Sequence, residues 1–105
     1  MEKISIIITT KNDYDNLDQC LHSLVYQKQY IYEVIVVDGD GDNLVEYRCS
    51  MYPNWIRYVN GKGTSMCQGR NRGLDNARGS IIAFIDSDTL LCKDWAKALL
   101  KAMES

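Results

Sequence analysis

Short, continuously apolar runs rich in β-branched residues recur along this chain, and they constrain its fold more than any other feature. The runs at residues 3–8, 33–37 and 81–85 are typical of strands that are covered on both faces of a sheet, and residues 56–59 form a shorter run. Segments with helical spacing of apolar residues alternate with them, as in residues 16–27, where leucines recur at i, i+4 and i+7. The predicted order is therefore βαβαβαβα.

This alternation of strands and helices has a direct consequence for the architecture. Strand–helix–strand units form right-handed crossovers, so the strands lie mainly parallel and the helices cover both faces of the sheet. The chain has 105 residues, which is the size of one domain. We therefore expect a single α/β domain over residues 1–105.

Charge and cysteine content narrow the class of protein. Twelve basic and 14 acidic residues give a net charge of −2, which argues against a nucleic-acid partner bound through bulk positive charge. The four cysteines include no Cys-x-x-Cys pair, so we expect free thiols in a reducing compartment rather than a zinc site. No export signal precedes the first strand, so the expected location is the cytoplasm, with the inner face of the membrane as an alternative.

Polar residues collect at the carboxyl ends of three predicted strands. They occupy residues 9–13 after the first strand, residues 38–42 after the second, and Asp86 and Asp88 after the fourth. Open α/β sheets bind ligands beyond the carboxyl ends of their strands. We therefore expect the functional site at this edge of the sheet.

Asp86 and Asp88 flank a single residue directly after a buried strand. Two carboxylates in this arrangement can present oxygen ligands to Mg²⁺ or Mn²⁺, and a cation held by few carboxylates completes its shell with water and phosphate oxygens. The pair thus indicates metal and diphosphate chemistry, with a helix N-cap role as the alternative. Residues 38–42 either hydrogen-bond a ribose or a base, or form a solvated turn.

Basic residues follow the third strand. Thr64 or Ser65 is predicted to cap a helix that runs to Ala77, and three arginines lie on or at the end of this helix, Arg70, Arg72 and Arg78. One of them is a candidate for contacting a phosphate or a base. The sequence contains no Gly-x-Gly-x-x-Gly or P-loop motif, and its single histidine has no evident catalytic partner.

Five stretches form an ordered set that covers almost the whole chain: Ser5–Thr10 followed by Asn12 and Asp13, Cys20–Leu24, Glu33–Asp38, Gly69–Leu74, and Ala77–Gly79 running into Ile82–Asp88. In this order and near these spacings, they resemble glycosyltransferase family 2, whose members have the GT-A fold. The resemblance implies the family's N-terminal, nucleotide-sugar-binding half. It also implies a three-layer, Rossmann-like sheet in the strand order 3-2-1-4.

The resemblance assigns roles at the nucleotide to four residues: Thr10 and Asp13 beside the base, Asp38 hydrogen-bonded to uracil or its equivalent, and Arg70 helping to bind the nucleotide. Asp40 is a second candidate for the contact of Asp38, because Gly39 stands where the family often has another aspartate. The resemblance therefore implies that the ends of the first two strands contribute to the nucleotide site.

Asp86 and Asp88 match the family's Asp-x-Asp element. On this resemblance Asp88 coordinates Mn²⁺ or Mg²⁺, and Asp86 contacts the ribose or a metal-bound water. The implied reaction is an inverting transfer of a sugar from a nucleoside diphosphate, with UDP-sugars favoured, to a saccharide, a lipid-linked glycan or another acceptor in polysaccharide biosynthesis.

The chain is much shorter than most members of the family it resembles. Family members are usually well over twice as long, and their catalytic base and acceptor-binding elements follow the Asp-x-Asp region. We therefore expect a chain truncated after that region, with no catalytic base, whose fourth strand forms an edge that favours self-association. Two alternatives remain, a nucleotide-sugar-binding fragment without turnover and a receiver-like signalling domain that uses residues 38–42 for Mg²⁺ binding and phosphorylation.

Overall fold

A computed structural model describes residues 2–11, 13–41 and 43–104, so the predicted Asn12 and Asp42 lie outside the described residues. The strands within this part of the chain are β1 (Ile4–Thr10), β2 (Glu33–Asp38), β3 (Ile56–Asn60) and β4 (Ile81–Asp86). The helices are α1 (Tyr14–Val25), α2 (Asn43–Ser50), α3 (Met66–Asn76) and α4 (Trp95–Met103), and a short 3₁₀ helix spans Lys28–Tyr30. None of the described helices is both long enough and apolar enough to cross a bilayer.

The described strands form one parallel sheet in the order β3-β2-β1-β4, which confirms the predicted fold class and strand order. All four described strands continue one or two residues beyond their predicted apolar runs. Thr10 pairs with Asp38, and Thr9 pairs with Asp86, so the first polar residues after each run still belong to the ladder. Parallel pairing with neighbours on both sides of β1 holds these residues in the strand despite their polarity.

The sheet has an apolar core on each face. Ile4, Ile6 and Ile8 of β1 are fully buried on the face that is covered by α1, α2 and α4. Ile7 points to the opposite face and clusters there with Ile35 and Val37. This alternation along one strand produces the three layers that were predicted.

Helix α3 covers the second face, and a glycine allows it to approach the sheet closely. A Cβ atom on Gly73 would lie 2.5 Å from Cγ2 of Ile7, far inside van der Waals contact. The side chain of Ser65 accepts a hydrogen bond from the backbone N–H of Gln68, whose own side chain accepts one from the backbone of Ser65. This capping box confirms the predicted start of the helix.

The predicted end of α3 was wrong by one residue. The helix ends at Asn76, Ala77 has extended backbone, and Arg78 lies outside the helix instead of in its last turn. The backbone N–H of Arg78 donates to Oε2 of Glu33 at 2.6 Å, so the chain leaves the helix to make this bond.

Glu33 is the centre of a buried polar network at the amino end of the sheet. Its carboxylate accepts hydrogen bonds from the Ser5 hydroxyl and the Arg57 guanidinium, both at 2.6 Å, in addition to the Arg78 backbone. Burial alone would raise the pKa of Glu33, but these hydrogen bonds and the charge of Arg57 outweigh it and hold the pKa below its usual value. The network joins β1, β2 and β3 to the segment that follows α3.

The cysteines are unpaired, as the sequence predicts. Cys20 and Cys49 are buried, and burial is the main reason that the pKa of each thiol rises to about 11. Cys67 and Cys92 are exposed. The two buried thiols act as small core residues.

Candidate functional site at the carboxyl ends of the strands

The strand order reverses at β1, because β2 and β3 extend the sheet on one side of it and β4 lies on the other side. Such a switch point is where open α/β sheets form a ligand crevice. A cleft of about 450 Å³ opens there, and the described residues that line it include Thr9, Thr10, Lys11, Asp13, Gly39, Thr64, Ser65, Met66, Gly69, Arg70, Asp86, Ser87 and Asp88. The cleft therefore lies at the edge of the sheet where the sequence predicts the site.

Asp86 and Asp88 lie on the wall of the cleft formed by the end of β4. Both are exposed, and two-thirds of the Asp86 side-chain surface is open to solvent. Arg70 of α3 lies across from them, with its Nη2 atom 3.9 Å from Oδ1 of Asp86 and its guanidinium over the Phe84 ring. The cleft thus holds two accessible carboxylates and the positively charged guanidinium of Arg70 within reach of the same ligand.

The first strand end contributes Thr10 and Asp13. Thr10 is buried, and its Oγ1 atom has no hydrogen-bond partner among the described residues, which is unusual for a buried hydroxyl. The two carboxylate oxygens of Asp13 accept hydrogen bonds from Asn16 and Ser87, each at 2.8 Å. Asp13 therefore links the first loop to the segment that carries the Asp-x-Asp pair.

Asp38 and Asp40 are not among the described residues that line the cleft. Asp38 is fully buried, and its carboxylate accepts hydrogen bonds from the backbone N–H of Asp40 and from the hydroxyl of Tyr58. Burial, together with the charge of Asp38, raises the pKa of Tyr58. Gly41, with φ of +61°, closes a turn by donating its N–H to the Asp38 carbonyl oxygen.

The three arginines that the sequence placed on one helix, with Arg70 and Arg72 on different faces, meet different partners in the structure. Arg70 lines the cleft, whereas Arg72 donates from Nη1 to the carbonyl oxygen of Asn60, and Arg78 lies beyond the helix. Of these arginines, Arg70 alone is in a position to meet a ligand in the cleft. The role of Arg70 in binding the nucleotide stays a prediction.

Several lining residues were not selected from the sequence: Gly39, Thr64, Ser65, Met66, Gly69 and Ser87. The capping-box pattern of Ser65 and Gln68 marked the start of α3, and this start lies beside the ends of β1 and β2. That signal could have identified the Ser65 region as part of the site. Ser87 gave no local signal, because its contact with Asp13 spans 74 positions in the chain.

Among the described residues, no cluster of three or more His, Cys, Asp or Glu side chains could hold a metal by itself. Asp86 and Asp88 offer two carboxylates on an open wall, next to space for a ligand. Hard divalent cations prefer oxygen ligands, and Mg²⁺ in particular is often bound by one or two carboxylates together with water and phosphate oxygens. The two carboxylates therefore fit a divalent cation that binds together with a diphosphate.

A second, wider hollow of about 750 Å³ lies between α1 and α2 and is lined by residues such as Tyr26, Arg48, Met51, Tyr52 and Leu90. Its charged pair, Asp18 and Arg48, is already joined in an ion pair. The cleft at the strand ends is smaller, but it alone of the two contains the predicted acidic pair and the Arg70 cation.

Comparison with known proteins identifies the family. Residues 5–105 match the family model described as glycosyl transferase family 2. The chain belongs to this family. Its membership confirms the resemblance found in the sequence and favours a glycosyltransferase over a receiver-like signalling domain.

Curated relatives agree with this assignment. Over 90 residues the chain is 36% identical to the uncharacterized glycosyltransferase YibD of Escherichia coli K12, a match that covers 82% of this chain and 26% of YibD. It is 30% identical over 105 residues to the glycosyltransferase GlyA of Streptococcus pneumoniae, covering 95% of this chain and 15% of GlyA. The chain thus spans about a quarter or less of the length of these relatives.

Solved structures share the fold. The mannosyltransferase PcManGT of Pyrobaculum calidifontis, solved in complex with GDP-Man and Mn²⁺, matches with a TM-score of 0.77 at 23% identity, over 93% of this chain and 31% of that one. Residues 1–349 of TarS from S. aureus match with a TM-score of 0.79 at 24% identity, over 97% of this chain and 32% of that one. These similarities show that the described fold is that of a GT-A glycosyltransferase.

Proposed function

We propose that this family 2 chain carries the donor site of an inverting glycosyltransferase. The donor is a nucleoside-diphosphate sugar, with UDP as the favoured nucleotide, and the acceptor is a saccharide, a lipid or another hydroxyl-bearing molecule. The observation that carries the proposal is the cleft at the β1 switch point, in which Arg70 faces Asp86 and Asp88. The guanidinium of Arg70 and two accessible carboxylates suit a diphosphate that binds together with a divalent metal.

Asp88, together with Asp86, would hold Mn²⁺ or Mg²⁺ in this site. When bound, the cation supplies positive charge that stabilises the nucleoside diphosphate as its bond to the sugar breaks. Arg70 adds a fixed positive charge on the opposite wall, where its guanidinium lies 3.9 Å from Asp86 in the free chain. The complex with GDP-Man and Mn²⁺ formed by PcManGT supports the same pairing of nucleotide sugar and metal.

Thr10 marks the base-binding end of the proposed site. Its buried hydroxyl oxygen lacks a hydrogen-bond partner among the described residues, and it lies on the cleft wall beside Asp13 and Gly39. Asp38 is proposed to contribute to the site indirectly. Its buried carboxylate accepts a hydrogen bond from the backbone N–H of Asp40 and so positions the turn that contains Asp40, beneath this wall.

The family resemblance places the catalytic base in a part of a family 2 enzyme that follows the Asp-x-Asp region. A nucleotide-sugar-binding fragment without turnover is the alternative proposal, and it uses the same site. We further propose a cytoplasmic location.

Self-association through β4 is part of the proposal. Among the described strands, β4 pairs only with β1, and the Phe84 ring on this strand remains nearly half exposed. A bare strand edge beside an exposed aromatic ring favours pairing with a second copy.

An amide chemical-shift titration with UDP and Mg²⁺ tests the location of the site. We expect the largest shifts at Thr10, Gly39, Gly69, Arg70 and Ser87, because these residues line the cleft. Ser50 in α2 and the residues around the second hollow provide the internal control. Shifts concentrated at Tyr26, Tyr52 and Leu90 would move the nucleotide to that hollow and overturn the proposal.

A further inference from the structure

Ser87, the residue between the two acids, is much more buried than its neighbours. Asp86 and Asp88 are exposed toward the cleft, whereas Ser87 is 8% exposed. Its hydroxyl donates a hydrogen bond to Oδ2 of Asp13 at 2.8 Å. The backbone N–H of Thr89 donates to the carbonyl oxygen of Asp86 at 3.0 Å, so Ser87 and Asp88 are the central residues of a turn that starts at the end of β4. Anchoring the Ser87 side chain therefore fixes this turn and, with it, the positions of the two acids that flank Ser87.

Asp13 is itself held in place. Its other oxygen, Oδ1, accepts a hydrogen bond from the side-chain amide of Asn16 in the first turn of α1. Asp13 precedes α1 without capping it through its side chain. Both carboxylate oxygens are therefore engaged, and the acceptor for Ser87 is anchored to the amino end of the helix.

The carboxyl end of α1 holds the far end of the same segment. The Ser23 hydroxyl accepts a hydrogen bond from the backbone N–H of Leu91 at 3.3 Å. Just beyond the helix, the buried Gln27 side chain donates to the carbonyl oxygen of Cys92 and accepts from the backbone N–H of Ala96, at 2.9 and 2.7 Å. Helix α1 and the residues that flank it thus hold both ends of residues 87–92, which form neither strand nor helix.

We propose that Ser87 is a positioning residue, whose hydrogen bond to Asp13 holds the carboxylates of Asp86 and Asp88 toward the cleft before any ligand arrives. This inference rests on the proposed function, because its purpose is a preformed metal–diphosphate site. It also gives Asp13 a second role, as the hydrogen-bond acceptor of Ser87. This role does not depend on a contact between Asp13 and the base. Groups that orient metal ligands in this way commonly change metal affinity tenfold or more when they are removed.

Ser87→Ala tests the inference in calorimetric titrations of UDP with Mn²⁺ and with EDTA. We expect about a tenfold loss of affinity with Mn²⁺ and a change of less than about twofold with EDTA, because the hydroxyl acts through the metal ligands. Ser87→Thr keeps the hydroxyl and is expected to restore binding. Ser80→Ala, at the exposed amino end of β4, is the matched control and is expected to bind UDP as the wild type does.

Other results separate the possible failures. Equal losses with Mn²⁺ and with EDTA, together with a lower melting temperature in Ser87→Ala, would show a purely structural role and overturn the inference. A wild-type chain that does not bind UDP would overturn the proposed function. In that case ¹⁵N relaxation of the free chain still decides the positioning role, because Ser87→Ala should increase the mobility of residues 86–89 alone, and unchanged relaxation would contradict it.

Discussion

Replacing Glu33 with glutamine is expected to lower the free energy of unfolding by about 3 kcal/mol at neutral pH. The carboxylate accepts three short hydrogen bonds, from Ser5, Arg57 and the backbone of Arg78. A glutamine amide has one acceptor oxygen in place of two and leaves the guanidinium of Arg57 without its counter-charge. Urea denaturation of the variant and the wild type measures the difference.

The same substitution is expected to change the pH dependence of stability. The pKa of Glu33 is lower in the folded chain than its usual value of 4.5, so the unfolded chain binds the proton more readily. The stability that this carboxylate contributes is therefore complete above the unfolded pKa and is lost as the pH falls through the folded pKa. The wild type should lose stability toward pH 3 more steeply than Glu33→Gln.

Glu46→Gln is the matched control, because Glu46 is exposed on α2. We expect it to unfold within about 0.5 kcal/mol of the wild type. If Glu33→Gln behaves like Glu46→Gln at neutral pH, and its stability falls with acid as steeply as that of the wild type, the network around Glu33 does not stabilise the fold as described.

Asp88→Asn is expected to weaken Mn²⁺ binding in the presence of UDP by about a hundredfold, because it removes the negative charge of a metal ligand. Asp86→Asn should have a smaller effect, about tenfold, because Asp86 also faces Arg70 at 3.9 Å and shares its charge with that cation. Electron paramagnetic resonance of free Mn²⁺ measures both affinities at a fixed concentration of UDP.

Asp75→Asn controls for net charge, since Asp75 is exposed near the carboxyl end of α3 and does not line the cleft. Its Mn²⁺ affinity should equal that of the wild type. Equal losses in Asp75→Asn and Asp88→Asn would indicate that the cation responds to overall charge rather than to a site.

Most of the fold could be predicted because its strands are local features of the sequence. The apolar runs that form β1, β2 and β4 can be recognised without knowing which distant segments they pair with. Their alternation with helices implies the parallel sheet. The exact strand ends depend on pairing between distant segments. Asp38 was predicted to begin a loop, but it closes β2 because it pairs with both Thr10 and Asn60.

The candidate site was predictable where it follows the ends of strands and not where it depends on tertiary contacts. Asp86, Asp88 and Arg70 were selected from the sequence and its family resemblance, and they line one cleft. Asp38 was selected in the same way, but it is buried beneath the cleft wall. Ser87 was passed over as the spacer of an Asp-x-Asp motif, because its partner Asp13 lies far away in the chain.

The central claim is that the cleft binds a nucleoside diphosphate together with a divalent metal. The most direct test is a calorimetric titration of UDP into the folded wild-type chain, first with Mn²⁺ and then with EDTA. We predict one site that binds at least about tenfold more tightly with Mn²⁺, a gain of about 1.4 kcal/mol. Equal affinity in both conditions, or no binding by a chain shown to be folded, would contradict the claim.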